Sequence, residues 1–402
     1  MKNKSIIVKN VFSIGAARLL SILFPLLVLP YLINTIGIDQ YGIIIFALAF
    51  VAYFNTFVDF SFAISAVRSV SKNQNNTKKL NEIASQVIST KLLLLAFACL
   101  VGSILISSIP VFNEQSTIFF IVFSSLIGYS LSMEWFFNGL EKMEYTALMI
   151  IIFKLLHAAS IFFFVKNPED SWIYATIISS EQLLVALTSM YILHKKFHIR
   201  WRFSQIASVK RSLTSNSSLF LNQLLPNLYN NTTTLLLGFF GGPVLTGTYG
   251  VIRKIVNLGE SVLKIVSKVF FPAINRDHNN IKKFQRTQWI ITVITIVLLC
   301  GLAPFLPYLI EDLNKEVVGP LILMSISLIG LTLYDIYGLN FFLVRNNDRL
   351  VMFNTLLFSI GGFILAFPFI YWLGLIGAAL IVSITRISIG SRLMILAKGY
   401  KS

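Results

Sequence analysis

The sequence predicts an all-α integral membrane protein with twelve transmembrane helices in two six-helix lobes. Three observations predict this fold class. The 402-residue chain is 56% hydrophobic and only 12% charged, whereas a soluble domain is about 25% charged. Apolar stretches of about 20 residues, the length needed to cross the hydrocarbon core, recur along the chain. Lysine and arginine are concentrated in alternate loops, as they are in the cytoplasmic loops of membrane proteins.

The predicted spans follow one another with short loops. The first has a basic segment before it and no small-residue cleavage site, so we expect it to be retained rather than cleaved as a signal peptide. The seventh, eighth and twelfth are the least apolar. The twelve spans are 10–34, 41–65, 84–109, 116–138, 145–165, 171–193, 214–240, 246–270, 287–310, 317–344, 350–372 and 374–397.

Basic residues predict the orientation of these spans. With the N-terminus inside, the cytoplasmic segments hold 22 lysines and arginines, and the external loops hold only Lys166 and Lys315. Both termini are therefore expected in the cytoplasm. This distribution explains most of the net charge of +16, so nucleic-acid binding is not expected. Membrane lipids are expected partners, because basic cytoplasmic loops attract anionic headgroups.

The chain divides into two halves around its longest polar stretch. We expect an N-terminal lobe at 1–193, a basic cytoplasmic linker at 194–213 and a C-terminal lobe at 214–402. The segment "DQYGIII" at 39–45 recurs as "GTYGVIR" at 247–253, an offset of 208 residues. With six spans per half, this similarity predicts parallel pseudo-repeats.

Charged residues inside the spans are the candidate functional groups, because intramembrane charges usually face a bundle interior or a watery cavity. The eighth span shows the pattern best, since its polar residues form a stripe about 120° wide on a helical wheel. The stripe comprises Arg253, Lys254, Asn257, Glu260, Ser261, Lys264 and Lys268. A helix lying on the membrane surface is the alternative, but removing this span would break the alternation of loop charges downstream.

Other polar residues in the spans leave more than one interpretation open. Lys91 and Lys154 either face a cavity or are structural partners of Asp59 or Glu181. His157 fits packing or interhelical hydrogen bonding better than a proton relay. Cys99 and Cys300 lie in apolar runs, so neither a disulfide nor a metal site is expected.

Two stretches carry a resemblance to a known family. "LPYLINTIGIDQYGIIIFALAFVAYFNTFVDFSFAISAVRSVSK" at 29–72 resembles the first two spans of the polysaccharide transporter family, specifically the O-antigen flippases (Wzx type). "EWFFNGLEKMEY" at 134–145 is similarly characteristic, and the likeness continues more diffusely through "GTYGVIRKI" and "FFPAINR". The resemblance implies two six-helix lobes around a central cavity with alternating access, as in the multidrug and oligosaccharidyl-lipid exporters.

The same resemblance implies a substrate. It is an undecaprenyl-pyrophosphate-linked oligosaccharide, such as an O-antigen repeat unit of lipopolysaccharide, moved across the bacterial inner membrane. A polymerase and a chain-length regulator would act in the same pathway, and no cofactor is expected. In-span cations would bind the pyrophosphate, and amides of the seventh span would bind sugars. The candidates are Arg18, Lys91, Lys154, Arg253, Lys254, Lys264, Arg386, Gln223, Asn227 and Asn230.

No nucleotide-binding loop is seen, so an ion gradient or the substrate gradient is the expected driving force. The candidate sites for coupling to protons or Na⁺ are Asp59, Glu181, Glu260 and Asp335. Within the eighth span, Arg253 and Lys264 would be about 16 Å apart along the helix axis and would hold the headgroup at two depths.

Other functions fit the sequence less well. A polymerase would need a large external loop and an acyltransferase would need histidines near a membrane face, so an enzyme of polysaccharide assembly is disfavoured. A multidrug exporter of the same fold remains an alternative, but its cationic drugs would be repelled by the excess of in-span cations. A lipid II flippase with additional helices would be longer than this chain.

Overall fold

The computed structural model describes residues 24, 26–276, 280–345 and 347–400, except for the side chains at 222, 225–229, 272–273, 275–276 and 280. Predicted site residue Arg18 lies outside the described residues, and so does the side chain of Asn227. The described part of the chain is helical and contains no strand, which confirms the all-α prediction.

The first half of the chain forms six helical segments. Helix α1 is short, and α2 is interrupted where Phe60 and Ser61 take positive φ angles of 42° and 64°. A bend at Ser132 and Met133 divides α4. The segments are α1 (Leu26–Ile36), α2 (Ile38–Ser71), α3 (Thr77–Ser108), α4 (Ser116–Gly139), α5 (Met143–Phe164) and α6 (Pro168–Phe197).

The second half begins with two long polar helices, α7 (Ile206–Phe240) and α8 (Gly242–Arg276). Helix α9 (Ile281–Leu309) and helix α10 (Lys315–Arg345) follow. The last helical run, Asp348–Lys398, is 51 residues long and is broken at Gly374, whose φ is 51° and ψ −122°. We label its two parts α11 (348–373) and α12 (375–398).

Eight helical segments of the described residues are long and apolar enough to cross a membrane, one of them being the 51-residue run. Helices α7 and α8 do not meet that criterion because of their polar residues, as the sequence predicts for the seventh and eighth spans. The helix bounds are compatible with twelve crossings, since the 51-residue run is far longer than the ~20 residues that one crossing needs.

Packing contacts group the described chain into two compact units. One contains Ala47–Leu224, and the other contains Leu29–Phe46 together with Leu225 onward. In the first unit the "EWFF" motif is core, because Trp135, Phe136 and Phe137 are buried against Phe62 of α2. Leu29–Phe46 packs with the second unit although it precedes most of the first unit in the chain.

Each unit contains a close helix–helix contact at a glycine. In the first, a Cβ at Gly128 of α4 would lie 2.4 Å from the Gln182 carbonyl carbon of α6. In the second, a Cβ at Gly330 of α10 would lie 2.4 Å from the Arg386 carbonyl carbon of α12. Glycine thus allows backbone contact between the fourth and sixth helix of each half, in agreement with the repeat that the sequence predicts.

Candidate functional site

Arg253 lies on the polar stripe of α8 and is held by α7. The two helices are joined at Gly241 and Gly242, where Gly242 has φ +75°. The guanidinium donates from Nη1 to the Asn230 carbonyl oxygen at 3.1 Å and to Thr234 Oγ1 at 3.0 Å. Its Nη2 donates to Asn231 Oδ1 at 3.1 Å. Three acceptors around one planar group fix its position, as a lysine ammonium could not be fixed.

Glu260 is the buried carboxylate at the middle of the stripe, with 6% of the residue exposed. Lys264, one turn along α8, lies 3.0 Å from Glu260 Oε2, and Arg386 of α12 lies 2.5 Å from Oε1. Arg386 also donates to Ser327 Oγ of α10 at 3.3 Å and to Asn230 Oδ1 at 3.4 Å. Burial of this carboxylate is therefore compensated by two cations.

These contacts form a polar network in the second unit, which we call the α8 network. It comprises Asn230, Asn231 and Thr234 of α7, Arg253, Glu260 and Lys264 of α8, Ser327 of α10 and Arg386 of α12. The network holds three cations and one carboxylate, so it keeps an excess of positive charge. An anion with several oxygen acceptors, such as a phosphate, suits such a group.

Lys264 is the exposed cation of the α8 network. Its side chain is 52% exposed, whereas that of Arg386 is 12% exposed. Since Glu260 keeps Arg386 as a partner, the Lys264 ammonium can move to another anion without leaving a buried carboxylate unpaired. Lys254, also a predicted site residue, has its ammonium 5.1 Å from the centre of the Tyr41 ring.

Asp335 occupies a different environment from the other candidate carboxylates. It is 1% exposed and lies in the first turn of a π-helical stretch, Tyr334–Phe342, a conformation that is frequent at functional sites. Gln288 of α9 donates to its Oδ2 at 3.3 Å. Asn340 donates to the Asp335 carbonyl oxygen at 2.8 Å and to Ser267 of α8 at 2.9 Å. Among the described residues, no cation lies within ion-pair distance of this carboxylate.

In-span charges of the first unit form one ion pair and one group of three side chains. Lys91 of α3 lies 2.9 Å from Asp59 of α2. Glu181 of α6 lies 2.7 Å from Lys154 and 2.7 Å from His157 Nδ1, both of α5. Of the two interpretations that the sequence leaves open for these lysines, the contacts therefore favour structural pairing.

Several partners in the α8 network are not among the residues singled out from the sequence. Asn231, Thr234 and Ser327 are neutral and gain their importance only from a cation on another helix. The run "NNTTT" at 230–234 is a signal that could have indicated the first two, because five consecutive polar residues are unusual in a span. Gln223 lies on the same helix, half-buried. The described residues contain no His, Cys, Asp and Glu group able to hold a metal ion.

Two curated proteins match nearly the whole chain. One, from Escherichia coli (strain K12), is 26% identical over 414 residues, covering 99% of this chain and 98% of that protein. The other, from Shigella dysenteriae, is 22% identical over 394 residues, covering 95% and 97%. Both bear the name "Putative O-antigen transporter".

Solved structures share the fold. A lipid II flippase, MurJ, in an inward closed conformation has a TM-score of 0.73 at 17% identity, over 97% of this chain and 87% of that one. A multidrug resistance transporter of the MATE family and the MOP superfamily has a TM-score of 0.58 at 13% identity, over 98% and 95%. At these identities the likeness establishes the fold: an all-α membrane protein of the exporter type.

A family model described as "Polysaccharide biosynthesis protein" matches residues 7–278. The match includes the first unit, the repeated Tyr-Gly segments and most of the α8 network. Because it covers more than half of the chain, this multi-pass membrane protein belongs to the polysaccharide biosynthesis protein family.

Proposed function

We propose that the chain is a flippase for an undecaprenyl-pyrophosphate-linked oligosaccharide, an O-antigen or a related repeat unit. It would move this lipid across the bacterial inner membrane by alternating access, with both termini in the cytoplasm. Family membership, two relatives named as O-antigen transporters and a fold shared with a lipid II flippase support this function. A polymerase and a chain-length regulator would act on the product.

The observation that carries the proposal is the half-exposed Lys264 beside a buried carboxylate and two anchored arginines. A pyrophosphate would bind the Lys264 ammonium and would experience the positive charge of Arg253 and Arg386. Glu260 would compete for the same ammonium, which keeps binding reversible. The amides of the seventh span, Gln223, Asn227 and Asn230, would bind sugar hydroxyls.

For energy coupling we propose Asp335. Asp59, Glu181 and Glu260 each have a cation within 3.0 Å, so protonating any of them would break an ion pair. Asp335 has an amide donor instead, and the same Gln288 amide also donates to the carbonyl oxygen of Leu263 of α8, next to Lys264, at 3.3 Å. Binding of a proton or Na⁺ at the Asp335 carboxylate would thus alter the headgroup site.

Asp335→Asn is predicted to abolish the dependence of flipping on an ion gradient while leaving lipid-linked oligosaccharide binding within about twofold of wild type. The amide keeps the shape and a hydrogen bond to Gln288 but cannot exchange a proton. Flipping rates in proteoliposomes, with pH and Na⁺ gradients imposed separately, measure this. Glu316→Gln, at an exposed carboxylate, is the control. An unchanged gradient response in Asp335→Asn removes this residue as the coupling site.

The proposed function is tested with purified protein in liposomes that contain a fluorescent undecaprenyl-pyrophosphate oligosaccharide. A reductant that does not cross the membrane bleaches only the outer leaflet, so a flippase makes nearly all of the label accessible. A multidrug exporter would instead move a cationic dye, and an enzyme of polysaccharide assembly would change the mass of the glycan. If the dye moves or the glycan mass changes while the label of the inner leaflet stays inaccessible to the reductant, the proposal is contradicted.

A further inference from the structure

The first unit contains a cavity that the proposed function does not use. Its volume is about 490 Å³, and it lies where α3, α4 and α6 meet the extended segment 199–205. An apolar side and a basic, aromatic rim make up its wall. The lining residues are Ile88, Met133, Met190, Tyr191, Leu193, His194, Ile199, Arg200, Trp201 and Arg202.

The rim is held by backbone hydrogen bonds to one face of α3. Every second N–H of the extended segment donates to a polar side chain, and these side chains follow each other at intervals of four residues. This spacing fixes the segment along the helix, so the side chains of the rim have defined positions. The bonds are Arg200 N to Asn81 Oδ1, Arg202 N to Ser85 Oγ and Ser204 N to Ser89 Oγ, each 2.9 Å.

The two rim arginines have no acidic partner among the described residues, and both are exposed. The lining contains neither a carboxylate nor a side-chain amide. A site for a glycan would be expected to offer such groups to sugar hydroxyls. Two guanidinium groups above an apolar wall fit a phosphodiester attached to hydrocarbon chains.

Side chains next to the cavity are of the kind found at the membrane–water boundary. Trp201 is 38% exposed, Phe203 79% and Ile206 81%. Large apolar side chains exposed to this degree are stable in contact with lipid, and tryptophan and arginine are typical of the headgroup level. The segment also belongs to the basic stretch that the sequence places on the cytoplasmic side, where anionic lipids are abundant.

We propose that this cavity binds an acidic phospholipid such as phosphatidylglycerol. Arg200 and Arg202 hold the phosphodiester, Trp201 lies at the glycerol level, and the acyl chains lie against Met190 and Tyr191. The bound lipid fixes the depth of the first unit in the cytoplasmic leaflet. This site shares no residue with the α8 network, and its existence does not depend on the proposed function.

Native mass spectrometry of the full-length protein with phosphatidylglycerol and phosphatidylcholine tests the site. Wild type is expected to retain phosphatidylglycerol selectively, and Arg200→Ala/Arg202→Ala to weaken that retention by about tenfold. The matched control is Lys210→Ala/Arg211→Ala, which removes the same charge from exposed positions outside the cavity and is expected to behave as wild type. Equal losses in both double variants would mean unspecific attraction and would overturn the proposal.

A second measurement needs no alanine variant. Phosphatidylglycerol with brominated chains is expected to quench the fluorescence of Trp201, obtained as the difference between wild type and Trp201→Phe, more strongly than brominated phosphatidylcholine does. Equal quenching by the two lipids overturns the proposal. So does displacement of phosphatidylglycerol by an equal amount of undecaprenyl pyrophosphate, which would make the cavity an entry site for the substrate.

Discussion

At the level of single residues, the cations of α8 differ in what holds them. Arg253 donates to three neutral acceptors on α7, whereas Lys264 contacts a carboxylate that Arg386 also contacts. Loss of the Arg253 guanidinium would remove one donor from each of those three acceptors. Loss of Lys264 would leave Glu260 paired. Arg253 is therefore expected to position α7 on α8, and Lys264 to contact the transported anion.

Arg253→Lys is predicted to destabilise the protein by about 1–3 kcal/mol, because one ammonium cannot replace a planar guanidinium that donates to three acceptors. Thermal unfolding of the detergent-solubilised protein measures the loss. Arg68→Lys, at an exposed arginine of α2, is the control and is expected to unfold like wild type. Equal unfolding temperatures for the two variants would show that charge alone matters at Arg253.

Helical periodicity was sufficient to predict the stripe on α8, because positions along one helix depend only on sequence spacing. It could not predict which groups the stripe meets, since Asn231, Ser327 and Arg386 come from three other helices. For the same reason, the sequence could not decide whether Lys91 pairs with Asp59 and Lys154 with Glu181. Each joins two helices, and the sequence does not give the rotation of one helix against another.

At the level of helices, the repeated Tyr-Gly segments lie in one contact of the second unit. A Cβ at Gly42 of α2 would lie 1.9 Å from the Pro243 carbonyl oxygen of α8. A Cβ at Gly247 would lie 2.3 Å from the Ile38 carbonyl oxygen. The helices therefore approach each other with backbone against backbone. This contact holds the start of α2 in the second unit and explains why glycine stands at these positions.

Gly42→Ala is predicted to lower stability by about 1–3 kcal/mol, since the new methyl group would overlap backbone atoms that cannot rotate away. Gly361→Ala in α11 is the matched control, because nothing lies within 4 Å of a Cβ there and alanine has the better helix propensity. Unfolding temperatures of the purified variants decide the question. A Gly42→Ala protein as stable as the control would mean that α2 and α8 can separate without cost.

Two features of the chain were beyond prediction from the sequence. The π-helical stretch at Tyr334–Phe342 depends on Asn340 reaching both Asp335 and Ser267 of another helix. The extended segment 199–205 depends on side chains of α3, more than a hundred residues earlier. By contrast, the break between the last two spans coincides with Gly374, because it follows from the length of the apolar run.

At the level of the whole molecule, the orientation in the membrane remains a prediction from loop charges, 22 cytoplasmic against 2 external. Reporter fusions after residues 38, 168, 243 and 313 are expected to be periplasmic, and fusions after 75, 205 and 280 cytoplasmic. Positions 205 and 243 flank α7 directly, so the pair serves as its own control. A cytoplasmic signal after residue 243 would contradict the assignment of α8 as a span.

Recognition of a pyrophosphate by the α8 network is the central claim, and the relative flipping rate of two lipids tests it most directly. The two lipids carry the same oligosaccharide on undecaprenyl pyrophosphate or on undecaprenyl monophosphate. Wild type and Lys264→Arg are expected to favour the pyrophosphate by about tenfold, equivalent to about 1.4 kcal/mol. Lys264→Ala should lose the preference, and Lys283→Ala, an exposed lysine of α9, should keep it. Equal rates for both lipids in wild type, or an unchanged preference in Lys264→Ala, would contradict the account.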